Sequence, residues 1–450
     1  MIGIVMFVVG MLMLLLGFPV AFTFGAVSVF FGLASGIIAS LGDGGTVMEG
    51  LDAGARMFAF MPHRIWSIMN NTILISVPMF ILMGIILQKS RLAERLLEAM
   101  GFLFGEIRGG LAISTVLVGA LLAASTGVVG ASVVAMGVIS LPVMLKYNYS
   151  KSLACGTICA SGTLGQIIPP SVVLIILGDV FQLPVGDLFE GAFWPGLTLV
   201  AVYILYIAIV SFFNKEMAPS IPKSELTHSK SKQVVNAFKA ILPPLILIIL
   251  VLGSIFEGIA TPTESSAVGC IGAMILAWIY KSFSFKMIHE ASMETVRTTA
   301  MVFAILIGAT AFSMVFSYTG GDEIIAEVMR SLPGDKWGFI VVSMAAIMAL
   351  GFFIDFVEIS YIIIPILAPI AEAIGISPVW YALLIALNLQ TSFLTPPFGF
   401  SLFYLRGVAP SCVTTIDIYK GVVPFIILQF LVMAVFTLFP EVYGVSMMLK

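Results

Sequence analysis

The 450 residues are 60% hydrophobic and only 10% charged, with a mean hydropathy of +1.13, whereas soluble domains carry roughly 25% charged residues. A soluble fold of this size has no interior large enough to hide that much apolar surface. The formal net charge of −3 leaves no basic face for nucleic acid, which needs clustered Lys and Arg, so the chain reads as an all-α, polytopic membrane protein.

The first apolar stretch, 2–17, has no basic n-region and no A-x-A site, and is expected to be a retained membrane helix rather than a signal peptide. Spans are predicted at 20–40 and 69–88. Segments 57–68 and 91–104 pattern as amphipathic helices lying along the interface, suited to scaffold or partner contact. The next apolar run, 109–145, is too long for one straight span and is interrupted by Ser125, Thr126, Gly127, Gly130 and Ser132. It fits a re-entrant hairpin of two half-helices meeting at mid-depth, or small residues placed for close helix packing. An interrupted span at 152–180 carries SGTLGQIIPPS, and a span at 191–213 closes this half.

Between 214 and 239 the chain turns polar, with Lys215, Lys223, Lys230, Lys232 and Lys239, which places it on the cytoplasmic side by the positive-inside rule. Counting spans from there brings Lys146 and Lys151, and then Lys281, Lys286 and Arg297, to the same side. The second half repeats the order: spans at 240–257, 262–280 and 298–319, a hairpin at 337–370, an interrupted span at 377–406 and a closing span at 421–440. Pro142, Pro169 and Pro170 recur as Pro369, Pro396 and Pro397 at one constant offset. FPVAFTFGA at 18–26 parallels TPTESSAVG at 261–269, and GAFWPG at 191–196 parallels GVVPF at 421–425. Residues 1–213 and 240–450 are therefore expected to be two repeats of opposite topology, joined by the linker 214–239.

Four interruptions carry the chemistry. Unpaired backbone amides and carbonyls cost several kcal/mol each in hydrocarbon, so helix-breaking sequence survives at depth only when buried in protein or lining a cavity. Each Pro-Pro pair removes two amide donors and should open its helix just before it. The freed carbonyls, with Ser161, Thr163, Asn388, Thr391, Ser392 and Thr395, make an oxygen-rich patch suited to Na⁺, and the half-helix N-termini beyond Pro169, Pro170, Ser171, Pro396 and Pro397 offer amides to an anion. Two accommodated proline kinks are the plainer alternative. The second tip, ALGFFIDFVEISYIII, holds Asp355 and Glu358, three apart and on one face if the segment is helical. Carboxylates at membrane depth are functional candidates for a proton, a cation or a polar gate, unless they sit in a wet vestibule. Glu264 of TPTE is a third such acid, though its place at a helix start favours a structural role, capping the helix and complementing its dipole. No Lys or Arg lies in either tip or break, so an anionic substrate would be held by dipoles, amides and hydroxyls. His63, His228 and His289 fall in surface or linker segments, and Cys155, Cys159, Cys270 and Cys412 read as packing residues without a zinc pattern.

With GIATPTESSAVG at 258–269, GTLGQIIPPS at 162–171, the STG tip at 125–127, GFFIDFVEIS at 351–360 and QTSFLTPPFGFSLFY at 390–404, the sequence resembles the DctM-type large membrane subunit of TRAP (tripartite ATP-independent periplasmic) transporters. The resemblance implies a sodium-coupled elevator in the bacterial inner membrane, in which both hairpins and both broken helices move against a scaffold. It also implies a small DctQ-type membrane subunit as a separate chain, and a periplasmic binding protein that delivers a small organic acid. By the same resemblance, sodium sites map to Ser125, Thr126, Gly127, Ser161, Thr163, Gly165, Asn388, Thr391, Ser392 and Thr395. Substrate binding or gating maps to Ser132, Pro169, Pro170, Ser171, Asp355, Glu358, Pro396 and Pro397. Competing readings are a self-sufficient ion-coupled carboxylate carrier without a binding protein, and an intramembrane enzyme using Asp355 and Glu264. The latter has no accompanying nucleophile, His or paired-Asp motif.

Overall fold

A computed structural model describes residues 2–126, 129–222 and 230–448. They are almost wholly helical, and nine helices among the described residues are long and apolar enough to cross a bilayer. The first is not α1 (Ile2–Leu15), whose 14 residues span only about 21 Å at 1.5 Å per residue. It is α2 (Val20–Gly42), which is followed by α3 (Val47–Arg56) and α4 (Met61–Met69). Helix α3 starts at a reciprocal cap in which Thr46 and Glu49 satisfy each other's backbone amides. Asn71 caps α5 (Thr72–Lys89), accepting from the Ile73 amide, and α6 (Leu92–Phe104) follows.

The first expected hairpin is two helices packed on each other, α7 (Gly110–Thr126) and α8 (Val129–Lys146). The first interrupted span is α9 (Lys151–Thr163), a 3-10 turn (Leu164–Gln166), an irregular stretch through Ser171, and α10 (Val172–Val180). Helix α11 (Val185–Phe213) closes the half.

The polar linker is shorter than its composition suggests. Helix α12 (Lys230–Phe256) starts within it, because Gln233 and Ala237 recur at helical spacing and are buried. The linker's first part, ahead of α12, is tied to the feet of the hairpin: the amides of Gly109 and Ser150 donate to the carbonyls of Ala218 and Met217, and the Ile221 amide to that of Gly105.

Helix α13 (Pro262–Ile279) begins at Thr261 and Glu264, whose side chains satisfy each other's backbone amides, so Glu264 is the exposed cap that its position suggested. The third span of this half, α14 (Phe285–Tyr318), is 34 residues long and starts well before the expected 298. After α15 (Gly321–Arg330) the second hairpin has arms α16 (Asp335–Leu350) and α18 (Ile364–Ala373), joined through a short turn, α17 (Phe356–Glu358), and a π-helical turn (Ile359–Ile363). The second interrupted span is α19 (Pro378–Leu394) and α20 (Phe400–Val408), and α21 (Thr415–Leu438) closes the chain's helices.

Helix α19 is the axis of the interior, with every residue from Trp380 to Leu394 buried. Trp380 stacks on Phe436 of α21 with ring centroids 6.3 Å apart, and Tyr203 of α11 meets Phe425 edge-on at 5.1 Å. Helices α7 to α11 and α16 to α21 pack around this axis. A second group, α1, α2, α3, α12, α13 and α14, lies to one side; there Phe24 of α2 meets Phe312 of α14 at 4.9 Å. Helix α5 packs against both groups. Outward-facing Phe22, Phe213 and Phe285 are at least 80% exposed, as expected where the solvent is lipid.

Candidate functional site

In the first interrupted span every side chain from Leu153 to Ile167 is buried, so the break lies inside protein, where broken backbone is tolerated. Helix α9 stops at Thr163, before the proline pair as expected, and Gly165 lies in the 3-10 turn. The Ser161 hydroxyl donates to the Ile158 carbonyl at 3.1 Å and the Thr163 hydroxyl to that of Ala160 at 2.9 Å. A hydroxyl has one proton and two lone pairs, so both oxygens keep acceptor capacity. Ser171 spans the break by donating to the Gln166 carbonyl at 2.7 Å. Pro169 and Pro170 are buried and joined by a cis peptide bond.

The second break is built alike but opens outward. Thr391 and Ser392 are buried at the end of α19 and donate to the Leu387 and Leu389 carbonyls, both at 2.8 Å. Thr395, half-buried at the helix end, donates to the Thr391 carbonyl at 2.7 Å. Pro396 and Pro397 are also joined in cis, but Pro396 is half-buried and Pro397 exposed, its carbonyl accepting from the Tyr419 hydroxyl at 2.6 Å.

Both breaks are held against the hairpins. Gly119 of α7 faces Ser161 so closely that a Cβ there would lie 2.6 Å from the Ser161 Cβ. Gly351, ending α16, faces Ser392 in the same manner, and a Cβ there would lie 2.2 Å from the Ser392 Oγ. Asn388, fully buried on α19, donates to the Met344 carbonyl of α16 at 2.7 Å. At the second tip Phe353 meets Phe398 at 5.0 Å. Ser132 is buried on α8. Ser125 and Thr126, as side chains, and Gly127 lie outside the described residues.

The acids of the second tip stand at the start of one helical turn. Asp355 is the residue before the short turn, and its Oδ1 accepts from the Phe356 amide at 2.7 Å. Glu358 lies within the turn, 4% exposed, and the π-helical turn follows it directly. Its Oε2 and the Ser360 hydroxyl have no hydrogen-bond partner among the described residues. Neither has either amide atom of Gln166, fully buried beside the first break. Gln166 was missed in the sequence although it stands inside the quoted break motif. The signal was a polar amide in an apolar, helix-breaking stretch.

A second omission is Asp179, near the end of α10. Its carboxylate accepts from the Asn71 amide of α5 and, at 3.4 Å, from the Tyr361 hydroxyl of the π-helical turn. It lines a cavity of about 600 Å³ together with Arg64 and Thr310. Of the cysteines, Cys155, Cys159 and Cys270 are buried packing residues, but Cys412 is exposed, because the segment between α20 and α21 is a surface loop.

The two hydroxyl-bearing helix breaks are thus each held against a hairpin. Residues 5–442 match the family described as Tripartite ATP-independent periplasmic transporter, DctM component. The chain belongs to this family. It is thus a TRAP transporter permease rather than an enzyme, and a multi-pass protein of the bacterial inner membrane. It is 30% identical over 433 residues to the ectoine TRAP transporter large permease protein TeaC of Halomonas elongata, covering 96% of this chain and 95% of that one. It is also 30% identical over 367 residues to the C4-dicarboxylate TRAP transporter large permease protein DctM of Pseudomonas aeruginosa, covering 80% and 84%. Among solved structures, that of Neisseria gonorrhoeae MtrF superposes with a TM-score of 0.63 at 11% identity, covering 94% of this permease and 96% of that chain, a likeness of fold alone.

Proposed function

We propose that this permease imports a small organic acid by a sodium-coupled elevator movement, together with a small DctQ-type membrane subunit and a periplasmic binding protein. The observation that carries the reading is the pair of helix breaks, each placing buried hydroxyl oxygens where a hairpin approaches. Hard cations take oxygen ligands. Ser161, Thr163, Thr391, Ser392 and Thr395, with the unpaired Gln166 amide oxygen, offer neutral oxygens and no net charge. Such a set suits a monovalent ion that must be released again. Sodium bound there closes the hairpins on the breaks and leaves the amides at the start of α10 and α20 to hold a carboxylate. Asp355 and Glu358 act as a polar gate at the second tip.

The order of elements supports two inverted repeats, 1–213 and 240–450, with the hairpins re-entrant from opposite faces. In the elevator reading the body around α19 slides against the group containing α2, α13 and α14, to which α5 belongs. The bond from Asn71 to Asp179 then crosses the sliding boundary. Paired cysteines at Asn71 and Asp179, with Cys412→Ala as background, test this: a short bis-methanethiosulfonate cross-linker, which forms a disulfide to each cysteine as sulfinate leaves, should stop uptake, and reducing those disulfides should restore it. Full activity of the cross-linked permease would show that α5 travels with the body. Dependence on partners is tested by reconstitution, where the permease alone should transport poorly. Robust uptake of free substrate by this chain alone would favour the self-sufficient carrier.

A further inference from the structure

At the end of the spans that the lysine count assigns to the cytoplasm, four cations from three helix ends converge on one cavity of about 610 Å³. Lys89 ends α5, Arg91 and Arg95 begin α6, and Lys281 follows α13. Two of them are engaged. Lys89 pairs with Glu294 at 3.3 Å and with Glu290 at 3.9 Å. Arg95 donates to the Tyr280 carbonyl at 3.0 Å and lies 4.9 Å from the centre of the Tyr280 ring. These contacts build the wall of the cavity and fix its shape. Arg91 and Lys281 are exposed and have no carboxylate partner among the described residues. Four cations against Glu290 and Glu294 leave the site net positive.

The surroundings identify the ligand. In the last turn of α13 and the first of α14, Trp278 is 71% exposed and Phe285 87%. An indole at the end of a span marks the headgroup level of a bilayer. A free anion has no use for such a rim, whereas a lipid has a charged head for the cavity and acyl chains for the aromatic side chains. Basic pockets between helices on the cytoplasmic side are suited to anionic headgroups.

We propose that this cavity binds the phosphodiester headgroup of an anionic phospholipid, with Arg91 and Lys281 as its charge partners. The site lies on α5, α6, α13 and α14 and away from both helix breaks, so it does not depend on the sodium or elevator reading. A lipid held there ties these helix ends to the membrane surface.

The test is lipid binding by the delipidated full-length chain in neutral detergent, read by native mass spectrometry during titration with phosphatidylglycerol or phosphatidylcholine. Phosphatidylglycerol should be retained preferentially. Each of Arg91→Gln and Lys281→Gln should weaken its binding roughly fivefold, and the pair about 30-fold. Lys420→Gln, an exposed cation elsewhere on the same expected side, should change nothing. Inorganic phosphate separates the two sources of the chemistry: at millimolar concentration it should not displace the lipid, and full displacement would make this a free-anion site. Equal retention of the two lipids, a test that needs no variant, would overturn the proposal. So would unchanged phosphatidylglycerol binding in a double variant whose lipid-free melting midpoint matches the parent.

Discussion

Gly351→Ala tests how the second hairpin meets its broken helix. The added Cβ would lie 2.2 Å from Ser392 Oγ, 2.7 Å from Ser392 Cβ and 3.2 Å from the Ile347 carbonyl oxygen. Rotating the hydroxyl relieves the first contact but not the second, since Cβ moves only with the backbone. Either the tip or α19 must therefore shift by the better part of an ångström, and overpacking of this kind costs about 1–3 kcal/mol. Ser392→Gly removes both clashing side-chain atoms at a cost of about 1 kcal/mol for glycine in a helix. The double variant should thus be more stable than Gly351→Ala alone, with a coupling of about 1–2 kcal/mol, within the range of residues in contact. Thermal midpoints of the purified permease and its monodisperse fraction after heating provide the readout. If Gly351→Ala melts with the parent, or Ser392→Gly adds to its damage, the tip and the break are not in this register.

Ser161→Ala and Thr126→Ala should raise the sodium concentration for half-maximal uptake at normal membrane abundance, while Ser28→Ala and Thr198→Ala, outside both breaks, should leave it unchanged. Asp179→Ala removes the acceptor of the Asn71 amide and the Tyr361 hydroxyl. It should destabilise by about 1–3 kcal/mol, with Asp179→Asn milder, as read by thermal midpoint; equal effects would mean that the charge rather than the hydrogen bonds matters. Cys412 is exposed and the other three cysteines are buried, so a membrane-impermeant maleimide should label the parent only from the cytoplasmic side. Ser331→Cys in a Cys412→Ala background should label only from the periplasmic side, and labelling of both from one side would sink the inverted topology.

The breaks were legible because each Pro-Pro pair follows a run of small and hydroxyl residues, and α9 and α19 both stop before it; Pro-Pro alone is not enough, since Pro243 and Pro244 lie inside the continuous helix α12. The Glu264 cap was legible for a similar reason, since TPTE is a local motif whose hydrogen bonds close within four residues. The spacing of Asp355 and Glu358 keeps its helical meaning because Asp355 caps the turn that holds Glu358, whereas the π-helical turn that follows has no local signal in the sequence. The start of α12 was hidden by charge: lysines mask a helical pattern whose buried face is only Gln233 and Ala237. Asp179 could not be read as a joint between elements, since its partners Asn71 and Tyr361 are far away in sequence. Likewise, the basic cavity at Lys89, Arg91, Arg95 and Lys281 unites helix ends that look, along the chain, like ordinary positive-inside flanks.

The coupling ion is the most exposed part of the account. Proteoliposomes carrying the permease with its small subunit, supplied with a loaded binding protein, should accumulate labelled organic acid when an inward sodium gradient is imposed. They should fail to do so when potassium replaces sodium, and Ser161→Ala should shift the sodium dependence to higher concentration. Equal accumulation on a proton gradient without sodium, with Ser161→Ala indistinguishable from the parent, would contradict the sodium assignment and make Asp355 and Glu358 the coupling residues instead.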